Sequence, residues 1–136
     1  MSNDKNKLLV RRFYEEVVNT GDVDKLAEFV SPDQLAGWKE HVLGVRTTYP
    51  DLHLTIEQQI AEGEWVVTRV TARGTHLGVW LGMRPTGQKL EMTGVNIDRV
   101  IDGRIVEHGG AANLLEPLLH IGAVRIADPV DGPNGG

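Results

Sequence analysis

Proton chemistry near neutral pH calls for an imidazole or a carboxylate, and this 136-residue chain offers five histidines and no cysteine. His76 directly follows Gly74-Thr75 at the end of a run rich in Val and Thr, a position from which a base could line the mouth of a site. His108 stands beside Glu107, and neighbours on a strand point to opposite faces, so the pairing register decides which of the two faces a site. Asn96 and Asp98 have the same parity and share a face. An amide both donates and accepts, so Asn96 can hold a carbonyl or phenol oxygen or stabilise an enolate-like anion. Asp98 is either a displaced acid/base carboxylate or a solvated strand-end residue, and the solvated reading is favoured. His41, His53 and His120 fall on separate elements, and no His/Asp/Glu set has metal-ligand spacing, so no metal is expected. With no glycine-rich dinucleotide fingerprint, phosphate loop or Gly-x-Ser-x-Gly elbow, no cofactor is expected either.

The elements that must position these residues follow from periodicity. Leu9, Phe13 and Val17, with Val10, Tyr14 and Val18 beside them, predict a helix over Lys5 to Asn19 capped by Asn3 or Asp4. Asp22 predicts the cap of a short second helix with Leu26, Phe29 and Val30 inward, ended by Ser31-Pro32. Leu35, Trp38, Val42 and Val45 predict a third helix from Gln34 to about Thr48. After Pro50 the period becomes two, giving strands from Leu52, over Trp65 to His76 and over Lys89 to Arg99, the last returning through Arg104 to Gly109. Asp102-Gly103, between Val100-Ile101 and Ile105-Val106, is a strong hairpin signal. Leu114 to Ile121 reads as a last helical turn or short helix.

Helices first and antiparallel strands after them predict one α+β domain over residues 1–126, with 127–136 a mobile tail of low apolar content. A sheet with helices on one face leaves the other open, and Val67, Val95 and Ile97 are placed there; a homodimer through that face would bury them. Tyr14, Trp38, Trp80, Met83 and Met92 provide walls able to stack on a flat apolar small molecule. Net charge is −5, with Lys and Arg scattered, so no nucleic-acid partner is expected. No run approaches the ~18 apolar residues of a membrane span, and the polar N-terminus lacks the apolar core of a signal peptide. The expectation is a protein of the cytoplasm with no membrane partner.

Five stretches carry a resemblance: Tyr49-Pro50-Asp51-Leu52, Ile60-Ala61-Glu62-Gly63, Thr71-Ala72-Arg73-Gly74-Thr75-His76-Leu77-Gly78, Leu81-Gly82-Met83-Arg84-Pro85-Thr86-Gly87 and Asp102-Gly103-Arg104-Ile105-Val106-Glu107-His108. In this order they resemble the SnoaL-like polyketide cyclases of the nuclear-transport-factor-two-like superfamily. The resemblance implies a cone-shaped barrel, a strongly curved mixed but mainly antiparallel sheet wrapped around three N-terminal helices, with a ligand cavity between them. It also implies that Asn96 and Asn113 stand where the family's aldol cyclases keep a histidine and an aspartate, and that small residues at Gly109 to Ala111 replace a tryptophan. Neither asparagine takes a proton at neutral pH. On that reading the chain is a cofactor-free tailoring enzyme for an aromatic polyketide, with Asn96, Asn113 and His76 as catalytic residues and Asp98 and His108 among the substrate contacts. Ring closure or isomerisation, with His76 or Asp98 as acid/base, competes with oxygen-dependent hydroxylation as in the family's anthracycline hydroxylases, and the asparagine pair tips the reading towards hydroxylation. A non-catalytic binding module for a hydrophobic small molecule is the alternative from another class.

Overall fold

The computed structural model describes residues 3–128 and 130. Most of the segment 127–136, expected to be mobile, lies outside the described residues. Helix α1 spans Asn3–Phe13 and continues as a π-helical turn over Tyr14–Val18. Asn3 and Asp4 therefore lie inside the helix rather than capping it. The π-turn buries both Tyr14 and Val17, and such turns often mark functional positions. The expected second helix is a 3₁₀ segment, Val23–Glu28, and the Asp22 side chain makes no capping bond. Thr20 does the local work instead, its hydroxyl accepting from the Asp22 amide at 3.1 Å. A further 3₁₀ turn, Pro32–Gln34, leads into α2, Leu35–Thr48.

Four strands follow: β1 His53–Glu62, β2 Trp65–Thr75, β3 Lys89–Ile101 and β4 Arg104–Ala112, paired antiparallel in the order β1-β2-β3-β4. A short helix α3, Leu115–His120, completes the described chain. The sheet is open and all antiparallel, which corrects the expected cone-shaped barrel of mixed strands; the parallel pairing among the described residues is one bridge, Val30 to Ile105. That bridge lies on the free edge of β4, where the Ile105 N–H donates to Phe29 O at 2.7 Å and Ile105 O accepts from Ser31 N at 3.0 Å.

The β3-β4 turn has Asp102 at φ 49° and Gly103 at φ 74°, the left-handed pair that a two-residue type I′ hairpin requires. Counting back from the turn, Ile101 pairs Arg104 and Val100 pairs Ile105, but Arg99 pairs Glu107. Val106 is thus an unpaired bulge residue. Without it Asp98 would stand opposite Glu107; with it Asp98 stands opposite His108. A one-residue slip exchanges the faces of every side chain beyond it, so this bulge settles the Glu107/His108 choice that the pattern alone leaves open.

The main core joins Val10, Phe13, Leu26, Phe29 and Trp38 from the helices to Val66, Val100 and Ile105 from the sheet. A second cluster, Tyr49, Leu52 and Leu90, packs near Trp80 and Met92. On the far face of the sheet Ile60, Trp65, Val95 and Ile97 are exposed and Val67 is half-buried. No helix among the described residues is long and apolar enough to cross a membrane.

Candidate active site

A cavity of about 310 Å³ lies between the helices and the inner face of the sheet, with Tyr14 from the π-turn, Trp38, His41 and Val42 from α2, and Asn96 and His108 from β3 and β4 on its walls. The chemistry concentrates at one end. Asp98, fully buried, accepts a 2.6 Å hydrogen bond on Oδ2 from the Tyr14 hydroxyl. Its Oδ1 lies 2.6 Å from His108 Nδ1. A carboxylate only accepts, so Nδ1 carries the proton and Nε2 is left as the free, basic nitrogen. The imidazole packs edge-on to Trp38 with ring centroids 4.6 Å apart. The solvated reading of Asp98 is overturned: its partners are Tyr14 in the first helix and His108 across the strand pair, and burying a carboxylate demands such partners.

Tyr14 is held as a neutral donor. Burial raises its pKa well above the usual phenol value, the Asp98 charge and hydrogen bond add to this, and the nearby Asn96 amide opposes it. Asn96 sits over Gly110, where a Cβ would come within 2.5 Å of Asn96 Oδ1 and 2.8 Å of Val95 O. The lack of a side chain at 110 thus gives the Asn96 amide its place. His41 borders the cavity beside Trp38, ring centroids 5.8 Å apart, and its pKa is lowered by burial and then by His108.

The remaining sequence candidates divide. Trp38, Trp80 and Met92 line the cavity together with Tyr14, Asn96 and His108. Asn113 is exposed, binds Thr93 O through its backbone N–H at 2.8 Å, and is not on the cavity wall. Met83 is also off the wall, pairing through its backbone with Trp80 across the Leu81-Gly82 turn. His76 is fully buried behind Tyr49 and Trp80, and its Nδ1 accepts from Thr86 N at 3.3 Å and lies 3.1 Å from Thr86 Oγ1. It holds the 76–88 loop rather than lining the cavity.

Sequence reasoning passed over His41, Arg46 and Tyr49, all of which line the cavity. The Arg46 guanidinium donates to the carbonyls of Val18, Asn19, Pro50 and Leu52 and so ties α2 to the start of β1. The i, i+4 spacing of Val42, Arg46 and Pro50 behind Trp38 is the signal that would have placed it on an inward face. Among the described residues no cluster of three or more His, Cys, Asp or Glu could hold a metal ion.

The sequence pattern of the SnoaL-like polyketide cyclases matches residues 8–121. The chain belongs to this family. It is 30% identical over 115 residues to the aklanonic acid methyl ester cyclase DnrD of Streptomyces peucetius, covering 74% of this chain and 79% of that one. Among solved structures, AclR of Streptomyces galilaeus, a proposed hydroxylase, aligns at TM-score 0.81 and 27% identity, covering 93% of this chain and 87% of that one. IdmH of Streptomyces antibioticus, a proposed polyketide cyclase, aligns at TM-score 0.76 and 31% identity, covering 86% of this chain and 98% of that one. The family thus shows both chemistries considered above, and the site has to decide between them.

Proposed function

We propose that this protein closes a ring in an aromatic polyketide by intramolecular aldol addition, without a cofactor, using His108 as the base. The observation that carries the reading is the Asp98–His108 pair, which leaves His108 Nε2 as an acceptor at the wall of a largely apolar cavity. The preference for hydroxylation rested on the absence of an acid/base pair at Asn96 and Asn113, and a carboxylate-backed imidazole supplies one elsewhere. The cyclase name of DnrD agrees with this chemistry.

In the proposed reaction His108 Nε2 takes a proton from a carbon flanked by two carbonyls. The Asn96 amide donates to the developing enolate oxygen. Asp98, held by Tyr14, stabilises the imidazolium that results. The enolate carbon attacks a ketone of the same molecule, forming the carbon–carbon bond, and the alkoxide takes back the proton from His108 Nε2. The product is an isomer of the substrate, so no oxidant or reductant is consumed. Trp38, Trp80 and Met92 stack against the flat rings. Asn113 and His76 have no part in the proton transfers. We further propose that the protein works in the cytoplasm as a homodimer joined through the exposed Trp65, Val95 and Ile97 face.

The test is ring closure of an anthraquinone bearing a 1,3-dicarbonyl side chain and a ketone, followed by chromatography under air and under argon. Equal rates in both gases are expected, with His108→Gln slower by about 10²–10⁴-fold, the usual worth of a positioned proton-transfer group. A product that gains oxygen, or turnover that stops under argon, overturns the cyclase reading in favour of hydroxylation; ligand binding with no turnover at all overturns it in favour of a binding module.

A further inference from the structure

Helix α2 carries two glycines, Gly37 and Gly44, in its interior. Neither has a positive φ, and a Cβ at either would meet nothing within 4 Å. Neither backbone geometry nor packing within the protein asks for glycine at these positions, although glycine weakens a helix interior relative to alanine. Seven residues apart, they lie about two turns apart on one face of the helix, with His41 between them.

That face is the floor of a groove of about 520 Å³, whose other walls are Tyr49 and Trp80. The groove is continuous with the main cavity, since His41, Val45, Tyr49 and Trp80 border both. A second, independent observation points to a ligand here. Tyr49 is 5% exposed, yet its hydroxyl is buried with no hydrogen-bond partner among the described residues. Buried polar groups are nearly always paired, so an orphaned one at a site wall calls for a partner from elsewhere. Burial also pushes the Tyr49 phenol up to about 12, so it stays a neutral donor. Finally, the main cavity of about 310 Å³ stands at the small end of the ~300–1,000 Å³ common for ligand sites, so a ligand of several fused rings would extend beyond it.

We propose that the Gly37/Gly44 face of α2 is a shelf for the distal rings of a flat polycyclic ligand, four fused rings rather than two, whose reacting end lies at His108. Glycine lets the ring plane approach the helix backbone closely, Trp80 covers the opposite side, and the Tyr49 hydroxyl donates to an oxygen on the distal part. This rests on the reading of the cavity as a polyketide site and adds the size of the substrate it selects.

The experiment is quenching of the intrinsic tryptophan fluorescence by a four-ring anthraquinone-type compound and by a two-ring naphthoquinone, on wild type and on the double variant Gly37→Ala/Gly44→Ala. The variant is expected to bind the four-ring compound at least tenfold more weakly and the naphthoquinone within twofold of wild type. Its melting temperature should be unchanged or higher, because alanine favours the helix, which separates the effect from misfolding. Tyr49→Phe should weaken only four-ring compounds with a distal oxygen. Undiminished four-ring binding by the double variant overturns the shelf while leaving the polyketide reading intact. Wild type that binds neither quinone overturns both.

Discussion

His108 and His76 each pack edge-on against a tryptophan, at 4.6 Å from Trp38 and 5.9 Å from Trp80, yet the two ends of the molecule use imidazole in opposite ways. At His108 the Nδ1 proton goes to the Asp98 carboxylate, so Nε2 remains a base. At His76 the Nδ1 atom is itself the acceptor, taking the Thr86 backbone N–H, so the proton resides on Nε2, buried and unpaired. One end therefore offers a lone pair to the cavity and the other offers none. The partner of one ring nitrogen fixes what the second can do, and neither ring type nor burial alone distinguishes a base from a loop anchor.

The comparison can be broken most directly at Asp98. Asp98→Asn removes the charge behind His108 and is expected to slow ring closure by about 10²–10⁴-fold, read as single-turnover rates of product formation; a loss of less than threefold would mean that His108 does not depend on its carboxylate. The converse variant, His76→Ala, should leave the chemical step within about threefold of wild type. Its cost should appear in stability instead, about 2–4 kcal/mol for emptying a buried site and freeing the Thr86 loop, measured by chemical denaturation. If its catalytic loss matched that of Asp98→Asn, the roles of the two histidines would be reversed.

A smaller effect sharpens the picture at His41, whose pKa is lowered by burial and by His108. The unfolded chain then binds this proton more readily than the folded one. Stability from this source is fully present above the unfolded value of about 6.5 and declines as pH falls below it, until His41 charges in the folded state as well. His41→Gln should flatten that part of the pH profile of the denaturation midpoint, and parallel profiles for wild type and variant would show that the depression is not felt.

Much of this arrangement is legible in residue pattern because it is local. The period of Leu9, Phe13 and Val17, the change of period after Pro50 and the Asp102-Gly103 turn each depend on a few neighbours, and they correspond to α1, β1 and the β3-β4 hairpin. The site is less legible because its bonds are not local. Tyr14 and Asp98 are 84 positions apart, so no window of sequence displays their contact, and Asp98 looks like any strand-end carboxylate. The Val106 bulge leaves no compositional trace either; a β-branched residue in a strand fits a regular ladder equally well. The reading of Asn113 as a cavity residue came from alignment on the turn, which fixes order along the chain but not the direction in which a side chain points.

The parallel bridge between Val30 and Ile105 is small, but it engages both backbone groups of the residue beside the bulge. For β4 to slip by one position and present Glu107 in place of His108, Ile105 would have to release Phe29 and Ser31 as well as Val100. The segment 29–31 thus acts as an indexing pin: placed outside the cavity and touching no substrate, it holds the strand at the one setting in which the imidazole meets its carboxylate.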